Sequence, residues 1–172
     1  MNRLTIIVLA AITGLVLILF SCSKDRQSTA TLIVELKDAP AAYEEVNVQV
    51  TGVEVHSDVT GWITFAVADS IYDLLLLQDS ANAALDSAIF PVGKISQVRL
   101  ILGANNTVKI GGTIYPLSLS SQDETGLKLN LHQDLLAGQV YKLVLDFDAA
   151  KSVVEQGNST YKLKPVLSAE LI

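Results

Sequence analysis

The chain has one cysteine, Cys22, in 172 residues. No disulfide can form within it, and a lone thiol in an exported protein needs a reason. Basic residues are also scarce, with 12 Lys and Arg against 18 Asp and Glu, for a net charge of −6. An acidic surface argues against nucleic acid as a partner and against electrostatic docking to anionic lipid. Two histidines and one tryptophan leave few groups for a general base or an aromatic platform. No Gly-x-Ser-x-Gly nucleophile turn occurs, and no calcium loop of the Asp-x-Asp-x-Asp-Gly type.

The N-terminus explains the lone cysteine. Arg3 is followed by an uncharged run from Leu4 to Phe20. As a helix this run would be about 26 Å long, at the short end for a membrane span and slightly long for the core of a signal peptide. The next residues carry more information. Leu19-Phe20-Ser21-Cys22 resembles the lipobox of bacterial lipoproteins, with an aliphatic residue at −3, a small one at −1 and then the acylated Cys; Phe20 departs from the usual residue at −2. A thiol is required there because it accepts the diacylglycerol. Two or three palmitate-type chains anchor a protein stably, since each buried CH₂ contributes about 0.8 kcal/mol. The alternative is a plain transmembrane anchor with an incidental cysteine. Residues 1–21 are therefore read as a lipoprotein signal peptide and 22–30 as a polar tether, with the body at 31–172. Ser23 after Cys22 permits an outer-membrane address, facing the periplasm or the surface.

The mature chain, residues 22–172, is about 150 residues, enough to bury about two-thirds of its unfolded surface without disulfide or metal. Its pattern alternates with period two. Leu32, Val34 and Leu36 share one face. Val46, Val48 and Val50 alternate with polar residues, and Val53 and Val55 resume in the other phase after Gly52. A glycine at such a slip predicts one strand, Glu45 to Ser57, bulged at Gly52. Further strands are predicted at Tyr72–Leu77 (an apolar run buried on both faces), Ile95–Leu102, Thr107–Ile110, Thr113–Leu117, Leu127–Leu131, Tyr141–Phe147 and Tyr161–Leu171. Asn105-Asn106 reads as a turn and Gly111-Gly112 as a hairpin signal; Pro165 marks an edge or bulge in the last strand. Gln78–Leu85 and Ala149–Gln156 read as short helices or loops, the second stopped by Gly157. The expected fold is all-β, a single sandwich of transthyretin-like or immunoglobulin-like, Greek-key type.

Several stretches carry a family likeness: Leu36-Lys37-Asp38-Ala39-Pro40, Val53-Glu54-Val55-His56, Tyr72-Asp73-Leu74-Leu75, the segment from Gly93 to Leu100, and that from Leu143 to Ala149. In this order they resemble the domain of unknown function numbered 4382, found widely in lipoproteins of Bacteroidetes. The resemblance implies an envelope address and a sandwich architecture, and no activity.

The remaining candidates are few. His56 and His132, with Asp146 and Asp148, would make a hydrolytic or metal-dependent site if they converged. Asp146 and Asp148 are two apart and would share a strand face, with Asp38 at a strand end as the third candidate. Carboxylates suit Ca²⁺, but two fall short of the roughly 6–8 ligands it takes. The plainer reading has Asp148 capping the helix that begins at Ala149. Trp62, in a Gly61-Trp62 turn, and Tyr43, in a loop, are candidates for a glycan platform, against the plainer reading that Trp62 packs over the sandwich edge. Asp69-Ser70-Ile71, Asp79-Ser80-Ala81 and Asp86-Ser87-Ala88 resemble the Bacteroidetes O-glycosylation motif and are placed between strands; turn capping by Asp-Ser is the alternative. No cofactor is expected. The expected partners are a membrane, through the lipid on Cys22, and an undetermined glycan or protein ligand. The leading expectation is a lipid-anchored, non-enzymatic module for binding, adhesion or structure.

Overall fold

In the computed structural model, which describes residues 28–78 and 81–172, the fold is organised around one long strand. The strands are β1 (Thr29–Asp38), β2 (Glu45–Ser57), β3 (Gly61–Phe65), β4 (Ser70–Asp73), β5 (Ala83–Pro91), β6 (Gly93–Leu102), β7 (Thr107–Ile110), β8 (Thr113–Ser118), β9 (Leu127–Leu135), β10 (Val140–Phe147), β11 (Val153–Gly157), β12 (Thr160–Leu163) and β13 (Leu167–Leu171). Two one-turn helices join them, α1 (Ser121–Glu124) and α2 (Ala149–Ser152). The result is an all-β sandwich. Its smaller sheet has the order β13-β10-β1-β5 and its larger one β11-β12-β8-β7-β2-β6-β9, with β3 and β4 also paired to β2. Among the described residues no helix is long and apolar enough to cross a membrane.

The period-two reading places β2 correctly. Val46, Val48, Val50, Val53 and Val55 are all fully buried, and the register with β6 shifts between Val50 and Gly52. The bulge therefore restores the inward phase. β3 and β4 flank β2 on one side and β6 and β7 on the other, since each overlaps a partner across β2. The β7–β8 hairpin turns on Gly111 and Gly112, with φ of 57° and 76°. Two successive positive φ values are what a two-residue turn matched to strand twist requires.

Both sheets feed one core. β1 contributes Leu32, Val34 and Leu36, and β10 contributes Leu143, Leu145 and Phe147. β1 and β10 run parallel, Leu36 opposite Leu145. Phe65 of β3 stacks on Phe90 of β5 at 6.2 Å, joining the two sheets by an aromatic pair.

Five expectations are corrected. Tyr72–Leu77 is not one buried strand. β4 ends at Asp73, whose side chain accepts from Leu75 N and caps a 3₁₀ turn, Leu74–Leu77. Leu74 is buried and Leu76 is exposed. Residues 83–85 belong to strand β5, not to a helix or loop. The last strand is two strands in different sheets. The chain crosses between them at Lys164–Val166, where Pro165 has no N–H to donate to a ladder. Gly157 does not stop a helix; α2 ends at Ser152, and Gly157 turns β11 into β12. The tether is also shorter than expected, because Thr29 and Ala30 already pair with Pro91 and Phe90. The signal segment 1–21 and Cys22 lie outside the described residues.

Candidate ligand-binding face

On β2, Val53 and Val55 point into the core, so Glu54 and His56 point out. Pairing carries that outward face across the sheet. His56 lies opposite Trp62 on β3 and Gln97 on β6, and Gln97 lies opposite Asn130 on β9. One row, Trp62–His56–Gln97–Asn130, thus spans four strands, roughly 15 Å at the usual interstrand spacing. The adjacent row is Thr64–Glu54–Arg99–Lys128.

The side chains of these rows hold one another. Trp62 meets His56 edge-to-face, centroids 5.1 Å apart. The Arg99 guanidinium lies 4.4 Å from the centre of the indole and donates to Glu54. His56 Nδ1 is 2.7 Å from Ser96 Oγ, and Gln97 Nε2 donates to Asn130 Oδ1 at 3.1 Å. Gly126, at φ 96°, makes room for the stem of Arg99, since a Cβ there would lie 2.6 Å from Arg99 Cδ. Arg99 Nε is the one buried side-chain nitrogen or oxygen among the described residues without a hydrogen-bond partner. Trp62 itself stays 37% exposed. The face therefore offers a fixed aromatic ring beside a row of amide and imidazole groups.

Trp62 is a strand residue, not a turn residue, and Tyr43 does not join it. Tyr43 precedes the start of β2 and packs against the core, while Trp62 lies opposite the other end, roughly 35 Å away along the strand. A two-residue platform is therefore excluded by the length of β2. Sequence reasoning named Trp62 and His56 separately but missed Gln97, Arg99 and Asn130. Only the strand register reveals these three.

The acid–base constellation is not assembled. His56 lies at the end of the sandwich where Ser28 enters, next to the Asp58–Lys94 and Val92–Ser28 backbone bonds. Asp146 lies opposite Lys37, near the far end of β1 and in the other sheet. His132 is exposed on β9.

The three aspartates have separate partners. Asp38 accepts from Ala149 N at 2.9 Å and from Gln78 Nε2 at 3.4 Å. Asp146 pairs with Lys37 at 3.0 Å. Asp148 caps α2, accepting from Lys151 N and Nζ, and that side-chain bond holds its carboxyl below the ordinary value. No group of three potential metal ligands occurs among the described residues.

The Asp-Ser motifs do not share a loop. Ser70 begins β4 in the larger sheet, and Ser87 is exposed on β5 in the smaller. Asp69 accepts from Gln49 Nε2 and Asp86 from Ala66 N, so both carboxylates serve local structure. Ser80 lies outside the described residues.

Comparison with known proteins adds one finding. A family model described as "Domain of unknown function (DUF4382)" matches residues 29–165. Neither the curated proteins nor the solved structures contain a match to the chain.

Proposed function

From the premise that this chain belongs to the DUF4382 family, over most of its length, we propose that it is a lipid-anchored, non-enzymatic binding module of the cell envelope, with a saccharide ligand on the Trp62 face. The observation that carries the binding reading is the row Trp62–His56–Gln97–Asn130. A part-exposed indole beside amide and imidazole groups suits a polyol, which offers C–H groups to the negative face of an aromatic ring and hydroxyls to polar donors and acceptors. The pre-made contacts of Trp62 with His56 and Arg99 reduce the ordering cost of binding. The anchor reading is supported by the lipobox and by the short stretch from Cys22 to the first strand residue, Thr29.

Trp62 is the only tryptophan, so its emission reports on this face directly. Titration with a panel of neutral envelope and capsular oligosaccharides is expected to shift that emission for at least one of them. By calorimetry, Trp62→Ala should then weaken binding about 30-fold or more, the cost of losing an interface hot spot. A panel that gives neither heat nor an emission change at millimolar sugar would remove the saccharide reading.

The anchor has its own test. Metabolic labelling with a fatty-acid probe should mark the wild-type chain and leave Cys22→Ala unlabelled and, because the cut is made only before an acylated Cys, still carrying residues 1–21. A wild-type chain that takes up no label and keeps residues 1–21 would favour the plain transmembrane anchor.

A further inference from the structure

The end of the sandwich where the chain enters is built from four turns and strand ends held together by backbone bonds. Gly138 N donates to Thr29 O, Val92 N to Ser28 O, and Asp58 N to Lys94 O. Gly93 lies opposite Leu135, and Val59 closes over Gly93, where a Cβ would lie 2.8 Å from Val59 Cγ2. Large apolar side chains point outward around this end. Val59 is 62% exposed, Leu136 64%, Val140 63% and Ile89 75%. Ile89 and Val140 both lie opposite Thr31, so they flank it on the outer face of the smaller sheet, about 10 Å apart across two strand spacings. Evenly scattered apolar residues would need no explanation, but these four ring the point of chain entry.

Only five residues separate Cys22 from Ser28, and such a segment reaches at most about 20 Å from Cα to Cα. The opposite end of β1 is roughly 30 Å further along the strands. With Cys22 acylated, the apolar end is therefore the end nearest the bilayer. The charges there are mixed. Lys94 lies opposite Asp134, with Asp58 beside them, so contact with lipid would rest on apolar insertion and not on attraction to anionic headgroups.

We infer that this end, rimmed by Val59, Ile89, Leu136 and Val140, rests in the headgroup layer of the membrane that holds Cys22, as a second attachment beside the lipid. The inference builds on the anchored reading. A rim in contact fixes the orientation of the domain, whereas a lipid alone leaves it free to swivel. The row from Trp62 to Asn130 then stands just above the bilayer, facing sideways along it.

The test uses the full acylated chain reconstituted in phosphatidylcholine vesicles. Because acylation occupies Cys22, an introduced cysteine is the one free thiol. An environment-sensitive fluorophore is attached to Ile89→Cys, Leu136→Cys and, as control, Leu76→Cys. Leu76 is 73% exposed in the 3₁₀ turn near Asp38, at the far end. Labels at 89 and 136 are expected to be quenched by nitroxide lipids, at about the 5–10 Å depth of interfacial apolar groups. The label at 76 should not respond. If the chain is acylated and vesicle-bound yet all three labels respond alike, the rim inference is overturned and the anchor stands. If Cys22 carries no lipid, both fall together.

Discussion

Phe90→Ala is expected to lower the unfolding free energy by about 3–5 kcal/mol, the usual cost of truncating a buried phenylalanine. Phe90 is fully buried and stacks on Phe65 across the two sheets. Its removal opens a cavity between β3 and β5 that neither sheet can close without shifting its strands. Ile89, the preceding residue, points the other way and is largely exposed. Ile89→Ala should therefore stay within about 0.5 kcal/mol of wild type, as surface substitutions do. Urea denaturation measures both, and a shift of midpoint at unchanged slope is expected for Phe90→Ala. Two neighbouring residues with such unequal costs are the signature of a strand with one face in the core. Similar costs at 89 and 90 would contradict the placement of β5.

That strand shows where the sequence was hard to read. β2 was legible because Val alternates with polar residues along its length and Gly52 marks the phase slip. β5 was not, because Ala83, Ala84, Asp86, Ser87 and Ala88 have low strand propensity; its hold on the fold comes from pairing with β1 and from Phe90. The leucine run from Leu74 to Leu77 failed for another reason. Identical residues carry no phase, and the Asp73 cap decides between strand and turn. The site followed the same logic. Trp62 and His56 are visible as rare residues, but their meeting depends on the β2–β3 register. Gln97, Arg99 and Asn130 depend on two further registers. A face assembled across four strands has no linear motif.

The second large effect is at Asp38, and it separates a charge from a hydrogen bond. Asp38 is 5% exposed, and burial pushes its carboxyl from the ordinary 3.8 up to about 6, against the opposing bonds from Ala149 and Gln78. A group whose folded pKa is raised favours folding in its protonated form. Its contribution is full below about pH 4, falls as pH rises through 6 and is flat above. At pH 7.5 the buried charge costs the fold up to roughly 3 kcal/mol, at about 1.4 kcal/mol per pKa unit. Asp38→Asn keeps an oxygen to accept from Ala149 N and removes the charge; the Gln78 amide can turn over to meet the new N–H₂. It should be more stable than wild type at pH 7.5 by roughly 1–3 kcal/mol, with the advantage vanishing near pH 4. Asp38→Ala removes the acceptor as well, leaving Ala149 N–H buried without a partner at a cost of about 1–3 kcal/mol. Loss of the buried charge offsets that cost at pH 7.5 and no longer does so at pH 4, so Asp38→Ala should fall below wild type most clearly in acid. Glu35 works in the opposite sense, since its bonds to Lys142 and Asn82 hold its carboxyl low and its contribution is lost in acid. For that reason the difference between variant and wild type, taken by urea denaturation at each pH, is the quantity to follow. A constant difference between Asp38→Asn and wild type from pH 4 to 7.5 would mean that Asp38 is not the group titrating in this range.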